Sequence, residues 1–127
     1  MEFAAIPELA LSTIRRACET LPEVAEVEND VGVNFTIRRR IFAYLFSIVD
    51  PDGRTPTMLV VRADPDERLF LLAAGHPFFA PNSGKDRVGV VLDDATDWSE
   101  IAELVTESYR LNAPKKLAAL VEHPPPV

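Results

Sequence analysis

Three groups of basic residues carry the clearest chemical potential in this chain. Arg38, Arg39 and Arg40 are consecutive, Lys85 and Arg87 lie one residue apart, and Arg110 is followed by Lys115 and Lys116. Guanidinium and ammonium groups gathered on protruding elements bind phosphate oxygens, and a two-stranded ribbon that presents them fits a nucleic-acid groove. Contacts of that kind fix position on a backbone and carry little sequence information. The competing reading is structural: exposed loops are charged, and cations suit helix C-termini.

Other reactive residues offer less. His76 and His123, the two histidines, are far apart, and a metal site would need carboxylates or thiolates to converge on one of them. His76 stands before Pro77 at an expected helix end, where it suits carbonyl capping. The acidic run Asp93-Asp94-Ala95-Thr96-Asp97 lacks the glycine and distal glutamate of a calcium loop and reads as a strand-to-helix turn. No Gly-x-Ser-x-Gly, His-Glu-x-x-His, P-loop or dinucleotide fingerprint occurs, so a non-enzymatic protein without a cofactor is expected. Cys18 is the single cysteine, which excludes an internal disulfide and fits a core filler in a reducing compartment.

The basic groups need elements to hold them, and the first is a hairpin. Val33 to Arg38 and Ile41 to Val49 are β-rich runs flanking the arginines. Two registers compete. With Arg39-Arg40 as the loop, Ile37 faces Phe42, and Val33, Phe35, Ile37, Phe42, Tyr44, Phe46 and Ile48 share one face. With Arg38 to Arg40 as the loop, Phe42, Tyr44, Phe46 and Ile48 move to the other face. The first gathers the apolar side chains and is the expected one, although primed two-residue turns favour Asn-Gly or Asp-Gly.

Around the hairpin the punctuation is clear. A helix is expected over residues 5–21, then an edge strand over 24–29. Asp50-Pro51-Asp52-Gly53 is a type I turn leading into a strand at Thr57–Arg62. Asp64 caps a helix reaching Ala74, with Pro65 at its first position, Glu67 at capping-box spacing and Gly75 as its stop. His76 to Gly84 reads as a rigid loop around Phe78-Phe79. Val88 to Leu92 is a strand whose Gly89 marks a close approach or a bulge. Asp97 caps a helix to Leu111, and a last short helix runs from Lys115 to Val121 with Leu117, Leu120 and Val121 inward. Strands joined by tight turns between helices imply an α+β two-layer sandwich with an antiparallel sheet. One domain over residues 1–123 is expected, followed by a proline-rich tail at 124–127.

The chain has 127 residues and a net charge of −7, which opposes generic affinity for DNA or anionic membranes, so any phosphate binding must be local. The apolar run Ile41 to Val49 is too short to span a bilayer, and the N-terminus has no signal-type pattern; a cytoplasmic location is expected.

The order and spacing of several segments resemble one family. Leu21-Pro22-Glu23-Val24, Phe35 to Ala43, His76-Pro77-Phe78-Phe79 with Gly84, Val88 to Asp93, Asp97 to Val105, Ser108-Tyr109-Arg110-Leu111 and Ala113 to Leu117 are similar to the MmcQ/YjbR family. The resemblance implies a frataxin/CyaY-like sandwich with a double-wing arrangement, in which projecting hairpins bind double-stranded DNA. The residues that would serve are Arg38, Arg39, Arg40, Lys85, Arg87, Arg110, Lys115 and Lys116. Two rival expectations stand beside it. One is a protein partner, docked on the Phe78-Phe79 loop or a sheet face. The other, by analogy with the fold's iron-binding members, is weak metal binding by Glu19, Glu23, Glu26, Glu28 and Asp30.

Overall fold

A computed structural model describes residues 1–121; His123 and the proline-rich tail lie outside them. Seven strands form one antiparallel sheet: β1 (Phe3–Ala4), β2 (Val24–Glu28), β3 (Gly32–Ile37), β4 (Arg40–Ile48), β5 (Thr57–Arg62), β6 (Phe78–Phe79) and β7 (Arg87–Leu92). Their order is β2-β3-β4-β5-β7-β6, and β1 pairs with the far end of β4. The helices are α1 (Glu8–Cys18), α2 (Pro65–Ala74), α3 (Trp98–Asn112) and α4 (Lys115–Ala118). The expected α+β class with an antiparallel sheet is what the chain adopts.

α3 lies across β4 and β5 with α1 beside it, and the core fills the space between these helices and the sheet. Ile14, Phe35, Ile37, Phe42, Leu45, Leu59, Val61, Val88, Val105 and Tyr109 are fully buried there. Burying such side chains contributes about 1.5–3 kcal/mol each. Cys18 joins this core, where burial pushes its thiol up to about 12 and keeps it protonated.

The hairpin differs from both expected registers. Ile37 pairs with Arg40 and Thr36 with Ile41, so the two-residue loop is Arg38-Arg39. Both have positive φ, 50° and 70°, as a primed turn requires. The pairing then slips, because Phe35 faces Ala43 and Phe42 is the extra residue of a β-bulge. The bulge keeps Phe42 in the core with Val33, Phe35 and Ile37. It sends Tyr44, Phe46 and Ile48 to the opposite face, while Ala43, Leu45 and Ser47 take the core side.

Ser108 of α3 makes the bulge tolerable. Its hydroxyl donates to the Phe42 carbonyl and accepts from the Arg62 amide at 2.8 Å. Two backbone groups that the bulge removes from the ladder are thereby satisfied. One residue on, the Tyr109 ring packs edge-on against Phe42, and its hydroxyl donates to the Pro22 carbonyl at 2.7 Å.

Local punctuation elsewhere follows the expected chemistry. Asp64 accepts from the Glu67 amide, and Asp97 from the amides of Ser99 and Glu100. A Cβ on Gly89 would fall 2.3 Å from the Phe79 ring, which explains the glycine as a close approach. Three expectations fail. α1 starts at Glu8, after the extended Pro7, and stops at Cys18, so it is shorter than residues 5–21, and a short strand, β1, precedes it. The loop at 76–84 contains β6, held by Phe78 and Phe79 opposite Val90 and Gly89. Leu120 is exposed rather than inward, because α4 ends at Ala118 and turns it away.

Candidate nucleic-acid interface

The loop between β3 and β4, the end of β5 and the start of β7 all lie at one end of the sheet. Arg62 and Arg87 are directly paired across β5 and β7. Arg40, on the neighbouring strand, opens β4 there. The C-terminus of α3 arrives at the same place, and its last carbonyls lack helical partners. Arg40 Nη1 donates to the Asn112 carbonyl at 3.3 Å. Arg62 Nη1 donates to the Leu111 carbonyl at 3.3 Å. Asp86 bridges the cross-strand pair, with Oδ2 3.1 Å from Arg62 Nε and Oδ1 3.7 Å from Arg87 Nε. Arg87 also donates to the Ile41 carbonyl at 3.4 Å.

The three consecutive arginines therefore point apart. Arg38 turns back over β2 and forms a bidentate pair with Glu23, at 2.8 and 3.0 Å. That pair holds the Glu23 carboxyl below its ordinary range and raises the Arg38 guanidinium. Arg40 turns to α3. Arg39, at the apex, is exposed and has no ion-pair or hydrogen-bond partner among the described residues.

The remaining sequence-derived cations divide. Lys85, beside Asp86, and Lys115 and Lys116, just past Asn112, are exposed and unpaired among the described residues. Arg110 is engaged: its Nη1 donates to the carbonyls of Ala118 and Val121, tying α4 to α3. Arg62 is the member that sequence reasoning missed. It reads as the last residue of a strand, and only the β5–β7 register brings it beside Arg87.

Two other regions bear on the alternatives. Helices cover one face of the sheet. On the other, Tyr44, Phe46, Ile48, Met58, Val60 and Phe79 floor an apolar groove of about 600 Å³. β1 and the loop 80–83 wall it, and Tyr44 Oη lies 2.7 Å from Ser83 Oγ. The acids of the α1–β2 edge do not gather: Glu26 is paired with Arg15 at 2.7 Å and Glu23 with Arg38, and no three metal-type ligands converge among the described residues. His76 lies 4.0 Å from the Asp93 carboxylate instead of on the α2 carbonyls, since Gly75 supplies the amide that closes that helix. In the acidic turn, Asp93 accepts from Ala95 and Asp97 caps α3, which is turn chemistry. No helix among the described residues is long and apolar enough to cross a membrane.

Together the fold and this sheet end define a small α+β protein with a local basic surface on an acidic body. The YjbR family model matches residues 19–111, and the chain belongs to that family. A crystal structure of Deinococcus radiodurans protein DR2400, with domain DUF419, has a similar fold. Its TM-score is 0.63 at 22% identity, over 80% of this chain and 76% of that one. No curated protein matches.

Proposed function

We propose that the chain is a non-enzymatic nucleic-acid-binding protein that grips the phosphates of duplex DNA with the basic end of its sheet. Arg39, Arg40, Arg62, Arg87, Lys85, Lys115 and Lys116 are the contacting residues. Arg38 and Arg110 have structural roles, as their partners indicate. The observation that carries this reading is the convergence of Arg40 and Arg62 on the last turn of α3, with Arg87 paired across the strands to Arg62 and Asp86 the only carboxylate paired to these arginines among the described residues. Like charges directly opposite on neighbouring strands are unfavourable, and one carboxylate only partly offsets Arg62 and Arg87. A phosphate would complete that neutralisation.

The surroundings set the character of the binding. Glu23, just before β2, is the acid nearest the hairpin tip, and its charge is already matched by Arg38. No aromatic residue stands among the proposed contacts, so bases have nothing to stack on. Binding is therefore weak, salt-dependent and insensitive to sequence. The test reverses charges where the fold is spared. A variant carrying Arg39→Glu, Lys115→Glu and Lys116→Glu should bind a fluorescent duplex at least about 10-fold more weakly at low salt. Wild-type affinity in that variant contradicts the proposal.

A second reading rests on the uncovered sheet face. We infer that its groove receives the apolar side chains of a protein partner, because β1 and the loop 80–83 cover Tyr44, Phe46 and Ile48 only in part. Phe46→Ser leaves the helix-side core untouched and should abolish binding of an environment-sensitive dye such as ANS. Unchanged dye fluorescence would sink this reading.

A further inference from the structure

Three non-glycine residues among the described ones have positive φ: Glu23 at 61°, Arg38 at 50° and Arg39 at 70°. All three lie at one corner. Val24 pairs with Ile37, so Glu23 sits directly across from Arg38, and those two hold each other through the bidentate pair. Left-handed backbone is disfavoured for residues with a Cβ, and it persists where surrounding structure enforces it or function rewards it. For Glu23 and Arg38 the ion pair is the visible compensation. Arg39 has none: it is exposed, and it occupies the second position of a primed two-residue turn, where glycine is the favoured residue.

We propose that Arg39 is the principal phosphate-contacting residue of the basic end, retained at a backbone position that favours glycine because its side chain is needed outside the protein. The Glu23–Arg38 clamp fixes the turn from one side, and the Arg40 contact with Asn112 fixes it from the other. Arg39 is left as the one member of the triplet without a partner among the described residues. This inference rests on the reading above and makes a narrower claim: Arg39 contributes more than its unit of charge.

The experiment compares Arg39→Gly with Arg54→Gln in the full chain. Arg54 is an exposed, unpaired arginine in the β4–β5 turn, at the opposite end of the sheet. Each change removes one positive charge. Arg39→Gly should melt a few degrees higher than wild type, because it relieves the turn. It should also bind a duplex of about 20 base pairs at least about 5-fold more weakly at about 50 mM salt, while Arg54→Gln changes affinity less than about 2-fold. Melting at or below wild type overturns the strain argument. Equal loss of binding in both variants overturns the special role of Arg39 while leaving the basic end intact. A wild-type protein that fails to bind duplex at low salt removes both this inference and the reading beneath it.

Discussion

The two stretches of α3 sit in opposite electrostatic surroundings. Along most of its length, Glu100, Glu103 and Glu107 face Glu67 of α2 across a groove of about 390 Å³, with Phe70 exposed at its rim and Glu107 paired at 3.9 Å with Arg110 one turn on. Burial first, and then neighbouring acids, raise the Glu67 and Glu100 carboxyls above their ordinary range. At the last turn, Arg40 and Arg62 donate into the helix carbonyls. Cations there are complementary to the helix end, and each is held by a directional bond. The comparison teaches that a net charge of −7 is a poor guide to local potential. The acids crowd one stretch, where they repel one another, and the arginines concentrate at the other, where backbone geometry holds them.

The largest expected effect comes from cutting the link between that last turn and the sheet. Ser108→Ala leaves the Phe42 carbonyl and the Arg62 amide without their partner in a buried site. It should cost about 2–3 kcal/mol in urea unfolding. A loss below about 0.5 kcal/mol would mean that the bulge is satisfied in another way. Next in size, Tyr109→Phe removes the hydrogen bond to Pro22 and keeps the packing on Phe42; about 1 kcal/mol is expected by the same measurement.

A smaller stability effect, with a larger effect on binding, is expected for Asp86→Asn. The carboxylate is half exposed, so its ion pairs contribute less than about 1 kcal/mol. Its removal leaves Arg62 and Arg87 without their shared counter-charge, and duplex affinity should rise several-fold. Weaker binding would assign Asp86 an orienting role and would contradict its description as the offsetting charge.

The smallest effect belongs to the acidic stretch. A carboxyl whose folded pKa is raised favours the folded state below its unfolded pKa, and this contribution is lost as pH rises through the folded value. Wild type should therefore gain stability from Glu67 as pH falls toward the ordinary glutamate range. Glu67→Gln should be slightly more stable than wild type at pH 7, by a few tenths of a kcal/mol after solvent screening, and the difference should vanish in acid. A variant less stable than wild type at neutral pH would show that the charge is favourable where it stands.

Much of this architecture was legible where chemistry is local. Asp64, Asp97 and Gly75 mark helix ends through their own side chains or backbone freedom, and Gly89 announced a close approach that Phe79 supplies. The hairpin register was not legible, because the bulge at Phe42 depends on Ser108, a residue 66 positions away. Alternation along Ile41 to Ile48 favours one apolar face; the tertiary contact divides that run between the core and the open groove. β1 and β6 have two residues each, too few to show a period. Of the basic end, the sequence indicated Arg39, Arg40, Lys85, Arg87, Lys115 and Lys116. It gave no sign that Glu23 would engage Arg38, that Arg110 would close on α4, or that Arg62 would join through strand pairing.

The salt dependence of duplex binding by the unaltered protein tests the central claim most directly. If the basic end contacts phosphates through the seven cations assigned to it, log K should fall linearly with log salt at a slope of about −6. Absence of binding at low salt, or an affinity that does not change with salt, would contradict the account.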